Sequence, residues 1–262
     1  MKTRRLAVVT VALFAAVGFA ATGCAKLSSG TNAAASTQPS PTLAPKDALL
    51  ASTKTLASTS YKFTIKASGL TGQGAADPTT KAVAITMSGT EGGVSVRMDF
   101  VAINTDVYMK IDFGALNRQV GVDPAKYLHL DATKLGSNSN LPVQPGGDPV
   151  EMNRILAGLV DVTTTDGRNF TGTLDLTKAT GSSTLDAAAV AKAGDKAKTV
   201  PFTAVLDDNG RMTDLKIDGS GVAPALGIEV SFSDFGTAAN VTKPDASQVV
   251  EAPDAVAQMF KK

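Results

Sequence analysis

From residue 61 onward, apolar and polar positions alternate with a period of two. In YKFTIKA, Tyr61, Phe63, Ile65 and Ala67 fall on one side, and Lys62, Thr64 and Lys66 on the other. VSVRMDF sets Val94, Val96, Met98 and Phe100 against Ser95, Arg97 and Asp99. DVYMKIDF sets Val107, Met109, Ile111 and Phe113 against Tyr108, Lys110 and Asp112, and GIEVSFSDFG alternates through Ile228, Val230 and Phe232. Successive side chains of a strand point to opposite faces, so these runs predict antiparallel strands with one apolar and one wet side. Asp166-Gly167 and Asn209-Gly210, each between two such runs, predict tight hairpins.

A helical period replaces the alternation in only a few places. PKDALLASTKTLAST opens with a proline and an acidic residue and carries Leu49, Leu50, Thr53 and Leu56 near one stripe, which predicts a short amphipathic helix. DPVEMNRILAGLV starts at Asp148-Pro149, and TLDAAAVAKAGDKA has Thr184 or Asp186 at its start. Both predict helices, and APDAVAQMF adds a short one near the C-terminus. No repeat of 20 to 50 residues recurs, and no linker interrupts residues 46–250. The expectation is one α+β domain of nine to eleven strands and three helices over 46–250, with 251–262 as a tail or short helix. A sheet this large must curl. Two or three helices cover its apolar face less tightly than a second sheet would, so that face is either packed by helices or left with space. Phe63, Ile65, Val96, Met98, Val107, Met109 and Phe232 are the candidates to line it.

The composition changes this picture little. With 43% hydrophobic residues, 5% aromatics and no tryptophan, the core is built from aliphatic and methionine side chains. The formal charge is +1, and removal of residues 1–23 takes away Lys2, Arg4 and Arg5, leaving 22 basic against 24 acidic side chains. No basic patch remains to read nucleic acid.

The N-terminus departs from the rest. MKTRR followed by LAVVTVALFAAVGFA has the cationic start and apolar run of a secretory signal. That run would span roughly 22 Å as a helix, short of the roughly 30 Å hydrocarbon core. Ala21, Thr22 and Gly23 then precede Cys24, the sole cysteine. A lone exported cysteine cannot make an internal disulfide, and its free thiol is open to oxidation. Acylation resolves this, and two acyl chains anchor stably where one does not. The expectation is a lipoprotein signal peptide over 1–23 with lipidation at Cys24. Residues 24–45, rich in Ser, Thr, Ala and Pro, bury too little to offset ordering and read as a disordered tether.

TSYKFTIKASG, DVYMKIDFGAL, KYLHLD, TTTDGRNFTGTLDLTKATG and VPFTAVLDDNGRMTDLKID together resemble the actinobacterial lipoproteins grouped with LprG, LppX, LprA and LprF. The N-terminal layout around Cys24 resembles the lipobox of such proteins, with Ala21 in place of the usual leucine. The resemblance implies a fold similar to the carriers LolA and LolB: a strongly curved antiparallel sheet, an unclosed half-barrel, wrapped around a few helices and enclosing an apolar cavity. It also implies the binding of lipids or glycolipids through their acyl chains.

Catalytic chemistry is sparse. His129 is the only histidine and sits in KYLHLD on the wet side of a strand beside Tyr127 and Asp131. A Gly-x-Ser-x-Gly elbow is missing. Asp207, Asp208, Asn209 and Gly210 lack the spacing and closing glutamate of a calcium loop, and TGQGA and PGGDP lack the lysine of a phosphate loop. The sequence therefore reads as a non-enzymatic envelope lipoprotein without cofactor or metal, held on the outer face of the cytoplasmic membrane by Cys24. It would bind a lipid or glycolipid, possess no nucleic-acid partner and act in lipid transfer. The alternative is a structural or interaction lipoprotein with a filled core.

Overall fold

The computed structural model describes residues 43–67, 69–91, 93–120, 123–135, 141, 148–179 and 184–260. All of these belong to the unit 42–262, and the expectations for the signal peptide, Cys24 and nearly all of the tether lie outside the described residues.

Twelve strands form one sheet: β1 (Tyr61–Ala67), β2 (Leu70–Asp77), β3 (Ala82–Glu91), β4 (Val94–Ile103), β5 (Asp106–Asp112), β6 (Tyr127–Asp131), β7 (Leu159–Thr164), β8 (Asn169–Leu174), β9 (Val200–Leu206), β10 (Met212–Ile217), β11 (Ile228–Ser233) and β12 (Val249–Glu251). Their order is β12-β6-β5-β4-β3-β2-β1-β11-β10-β9-β8-β7, so the sheet is open, with β12 and β7 at its edges. The α-helices are α1 (Pro45–Leu56), α2 (Asn117–Val120), α3 (Met152–Leu156), α4 (Ala187–Ala193) and α5 (Asp254–Met259). The mixed α+β class and the open sheet agree with expectation.

The twelfth strand was not expected, nor was its direction. β12 is three residues long and pairs parallel with β6, the one parallel pairing among the described residues. Three residues, Val249, Val250 and Glu251, leave no readable period, and pairing with a distant strand sets the structure there instead. The segment between β11 and β12 is tied down by Lys126 Nζ donating to the Ser247 carbonyl at 2.7 Å and by Lys243 Nζ to Asp106 Oδ2 at 2.6 Å.

The helix expected from Asp148 is shorter than its apolar pattern. Glu151 adopts a left-handed backbone, φ 57°, so the helical turn starts only at Met152. At its far end Gly158 lies against the Asp175 backbone, and Leu159 and Val160 open β7. In α1 the buried positions are Leu49, Ser52, Thr53 and Leu56, while Leu50 faces outward at 37% exposure. Ser52 and Thr53 lose no hydrogen bonding by burial, because their hydroxyls donate to the Leu49 and Leu50 carbonyls at 2.7 and 2.8 Å. α1 packs on β7, β10 and α3, and Lys46 Nζ donates to the Leu159 carbonyl of the β7 edge at 2.6 Å. That contact occupies one acceptor of an edge that would otherwise be free to pair with another chain. The core is continuous from Leu49 of α1 through Phe63, Phe100 and Met109 to Phe170, Leu215 and Phe232.

Candidate functional site

The apolar side of the sheet is built from directly opposed residues. Phe232, Phe63, Gly74, Ile85, Phe100, Met109 and Leu128 form one row across seven strands. Val230, Ile65, Gly72, Met87, Met98 and Ile111 form the next. Opposed residues share a face, so all seven candidate lining residues lie on this one side. Gly74 leaves the space that the Phe63 ring fills: a Cβ there would sit 2.7 Å from the ring's Cζ.

Burial divides the seven. Phe63, Ile65, Val107, Met109 and Phe232 are at most 5% exposed and belong to the packed core. Val96 and Met98 are half-buried, as are their neighbours Met87, Val94 and Ile111. An apolar strip therefore emerges toward one end of β3, β4 and β5. At the other end, Tyr61 packs on Phe63, Phe232 and Phe235 at centroid distances of 6.1, 5.6 and 6.2 Å. Among the described residues, its buried hydroxyl finds no hydrogen-bond partner, nor does Asp148 Oδ2. Burial, and then the nearby Asp148 carboxylate, push the Tyr61 phenol far up. Burial also raises Asp148, against the backbone N–H groups led by Val150 that its other oxygen accepts.

A separate apolar pocket of about 550 Å³ lies beside α4, lined by Leu176, Ala179, Leu185, Ala187, Val190 and Ala191 among others. Its charged lining is the Asp195–Lys198 pair, 2.7 Å apart. The Asp186 carboxylate caps α4 by accepting from the Ala188 and Ala189 N–H groups, and so fixes the helix that forms one wall. None of the seven candidates lines this pocket. Sequence reasoning missed it because Leu176 and Leu185 sit in or next to short irregular turns, where no period marks an inward face. Its size falls within the roughly 300–1,000 Å³ of small-molecule sites.

His129 sits in a different kind of cluster. Its ring stacks on Tyr108 at 5.0 Å, Nδ1 lies 2.8 Å from Glu251 Oε1, and Nε2 lies 3.0 Å from Asp106 Oδ1. The stack also explains why Tyr108, expected on the wet face, is only 7% exposed. Both ring nitrogens are held by carboxylates, which leaves neither free as a catalytic base. Burial alone would lower the imidazole's pKa, but the hydrogen bonds to Glu251 and Asp106 outweigh it and raise it above 6.5. Lys243, and then His129, hold Asp106 below the carboxylate range. Because the histidine's pKa is raised in the folded state, its contribution is fully present below its unfolded value and lost as pH rises through the higher folded one. The melting-temperature advantage of the wild type over His129→Gln is therefore expected to be largest just below pH 6.5 and to shrink as pH rises above it. An advantage that grew with pH would contradict this reading of the cluster.

The Asp207–Gly210 turn consumes its own carboxylate. Asp207 Oδ1 accepts from the Asn209 and Arg211 N–H groups at 2.9 Å, and Oδ2 takes the Arg211 guanidinium at 2.6 and 2.7 Å. With Gly210 at φ 69°, this is a hairpin turn. No protein-family model matches the chain, and no curated protein matches it.

Proposed function

We propose that the protein is a membrane-anchored envelope lipoprotein that holds an acyl chain of a lipid or glycolipid, without covalent chemistry, and passes it on. The observation that carries this reading is the 550 Å³ apolar pocket beside α4, together with the half-buried strip through Val96 and Met98. A twelve-stranded sheet curls rather than lying flat, and a strongly curved half-barrel around the helices would give an acyl chain apolar walls. Each buried methylene contributes about 0.8 kcal/mol, so burial of about ten of them would contribute about 8 kcal/mol toward holding a lipid. The cationic start, apolar run and Cys24 support an anchor on the outer face of the cytoplasmic membrane.

One observation favours the second reading, a scaffold lipoprotein with a filled core: five of the seven sheet candidates are buried in the continuous core. A single experiment separates the two. The full chain and its Cys24→Ala variant are produced in an actinobacterial host fed a clickable fatty acid, and the released variant is weighed by native mass spectrometry. The wild type is expected to carry the label and the variant to lose it, while the variant retains a lipid of defined added mass. Label persisting in the variant would remove the anchor, and a bare polypeptide mass would leave the filled-core reading in place.

A further inference from the structure

The side of the sheet opposite the core is indented by a furrow of about 650 Å³. A single polar row crosses it: Ser231, Thr64, Gln73, Thr86, Asp99 and Lys110, each directly opposite the next across β11, β1, β2, β3, β4 and β5. All six line the furrow. Five strand spacings of about 4.8 Å carry this row over about 24 Å. One hydrogen-bonding group per strand repeats at close to the length of a pyranose ring.

The charges are arranged to favour an anion. Lys62, Arg97 and Lys110 line the furrow against one carboxylate, Asp99. That carboxylate is only 8% exposed and is already engaged by Thr86 Oγ1 at 2.7 Å, Arg97 Nη2 at 3.2 Å and Lys110 Nζ at 3.3 Å. It is thus a fixed anchor for the two cations rather than a repulsive group. The outer cations are ion-paired yet more than half exposed: Lys62 Nζ lies 2.7 Å from Asp234 Oδ2, outside the furrow lining, and the side chains of Lys62 and Arg97 are 58% and 59% exposed. At the end of the row the half-buried Tyr127 ring, with Lys110 Nζ 4.6 Å from its centroid, adds an aromatic surface. A row of hydroxyl and amide groups suits a polyhydroxylated ligand, and guanidinium and ammonium groups suit carboxylates.

We propose that this furrow binds an acidic saccharide, a chain of four or five sugar rings bearing carboxylates, laid across the strands. The site faces away from the apolar wall and stands whether or not that wall takes a lipid.

The test is calorimetric titration of the full chain, in a sugar-free zwitterionic detergent, with a pentamer of mannuronic acid. Maltopentaose serves as the neutral sugar and triphosphate as the anion without sugar. The mannuronate pentamer is expected to bind with a dissociation constant below about 1 mM, and the two comparison ligands at least tenfold more weakly. Lys62→Glu is expected to weaken the pentamer at least tenfold and Gln73→Ala about threefold, both with wild-type circular dichroism. Absence of pentamer binding, equal binding of maltopentaose or triphosphate, or unchanged affinity in both variants would overturn the proposal.

Discussion

Alanine in place of Gly172 is expected to destabilise the protein by about 3 kcal/mol, as overpacking against atoms that cannot retreat does. Gly172 lies in β8, opposite Val162 of β7 and Phe202 of β9. The register of β7 shifts between Leu159 and Val162, and the Asp161 carbonyl comes to lie over the glycine. A methyl group there would overlap that carbonyl oxygen and stand 2.9 Å from a Phe202 ring carbon. The ring can turn. The carbonyl, part of the strand backbone, cannot do so without breaking the pairing. Gly221→Ala is the control, because nothing lies within 4 Å of a Cβ built there. Urea unfolding should show a lower midpoint for Gly172→Ala at unchanged slope, and no change beyond about 0.5 kcal/mol for Gly221→Ala. Equal stability of the two variants would show that β7 and β8 do not pair in this register.

Truncating Phe63 should cost about 4 kcal/mol, in the range of buried phenylalanine-to-alanine changes. The ring is 2% exposed, fills the gap over Gly74 and touches the Tyr61 cluster. Val96→Ala, on the same side of the sheet but half-buried, should cost no more than about 1 kcal/mol. The contrast bears on function. Phe63 is expected to behave as a core residue and Val96 as part of an open wall, so only the second type of position is available to a ligand. If Phe63→Ala proved as mild as Val96→Ala, the interior around Phe63 would hold space in place of packing.

The strands were legible because the side-chain period of two survives wherever one face is buried. Tyr61 to Ala67 shows this most clearly, with four inward and three outward residues in strict alternation. Long-range placement was not legible. Nothing near Val249 announces that it pairs with Tyr127, and nothing in KYLHLD says that His129 meets Glu251 and stacks on Tyr108. In α1, Leu49, Thr53 and Leu56 are buried as their spacing predicts, while Ser52 takes the buried place expected for Leu50, its hydroxyl satisfied by its own helix. The helix after Asp148 ran too long because its apolar residues continue into β7, where Leu159 and Val160 serve a strand instead. For the candidate sites, the apolar face could be assigned but not its division into packed and half-open parts. The polar row through Gln73 and Asp99 depends on the register of six strands, which turn geometry fixes and a single strand's sequence does not.

The sheet is two sequential meanders, β1 to β6 and β7 to β11, joined at one seam between β1 and β11. Within each meander, every strand pairs with its immediate chain neighbour, over short turns in most cases and over helical connections between β5 and β6 and between β8 and β9. The seam pairs Phe63 with Phe232, across most of the polypeptide. Such non-local closure is slow compared with hairpin formation. During synthesis, the outer backbone groups of β1 must wait, bare, until β11 emerges to cover them. This late-closing zipper keeps the two halves from locking together before β11 is made.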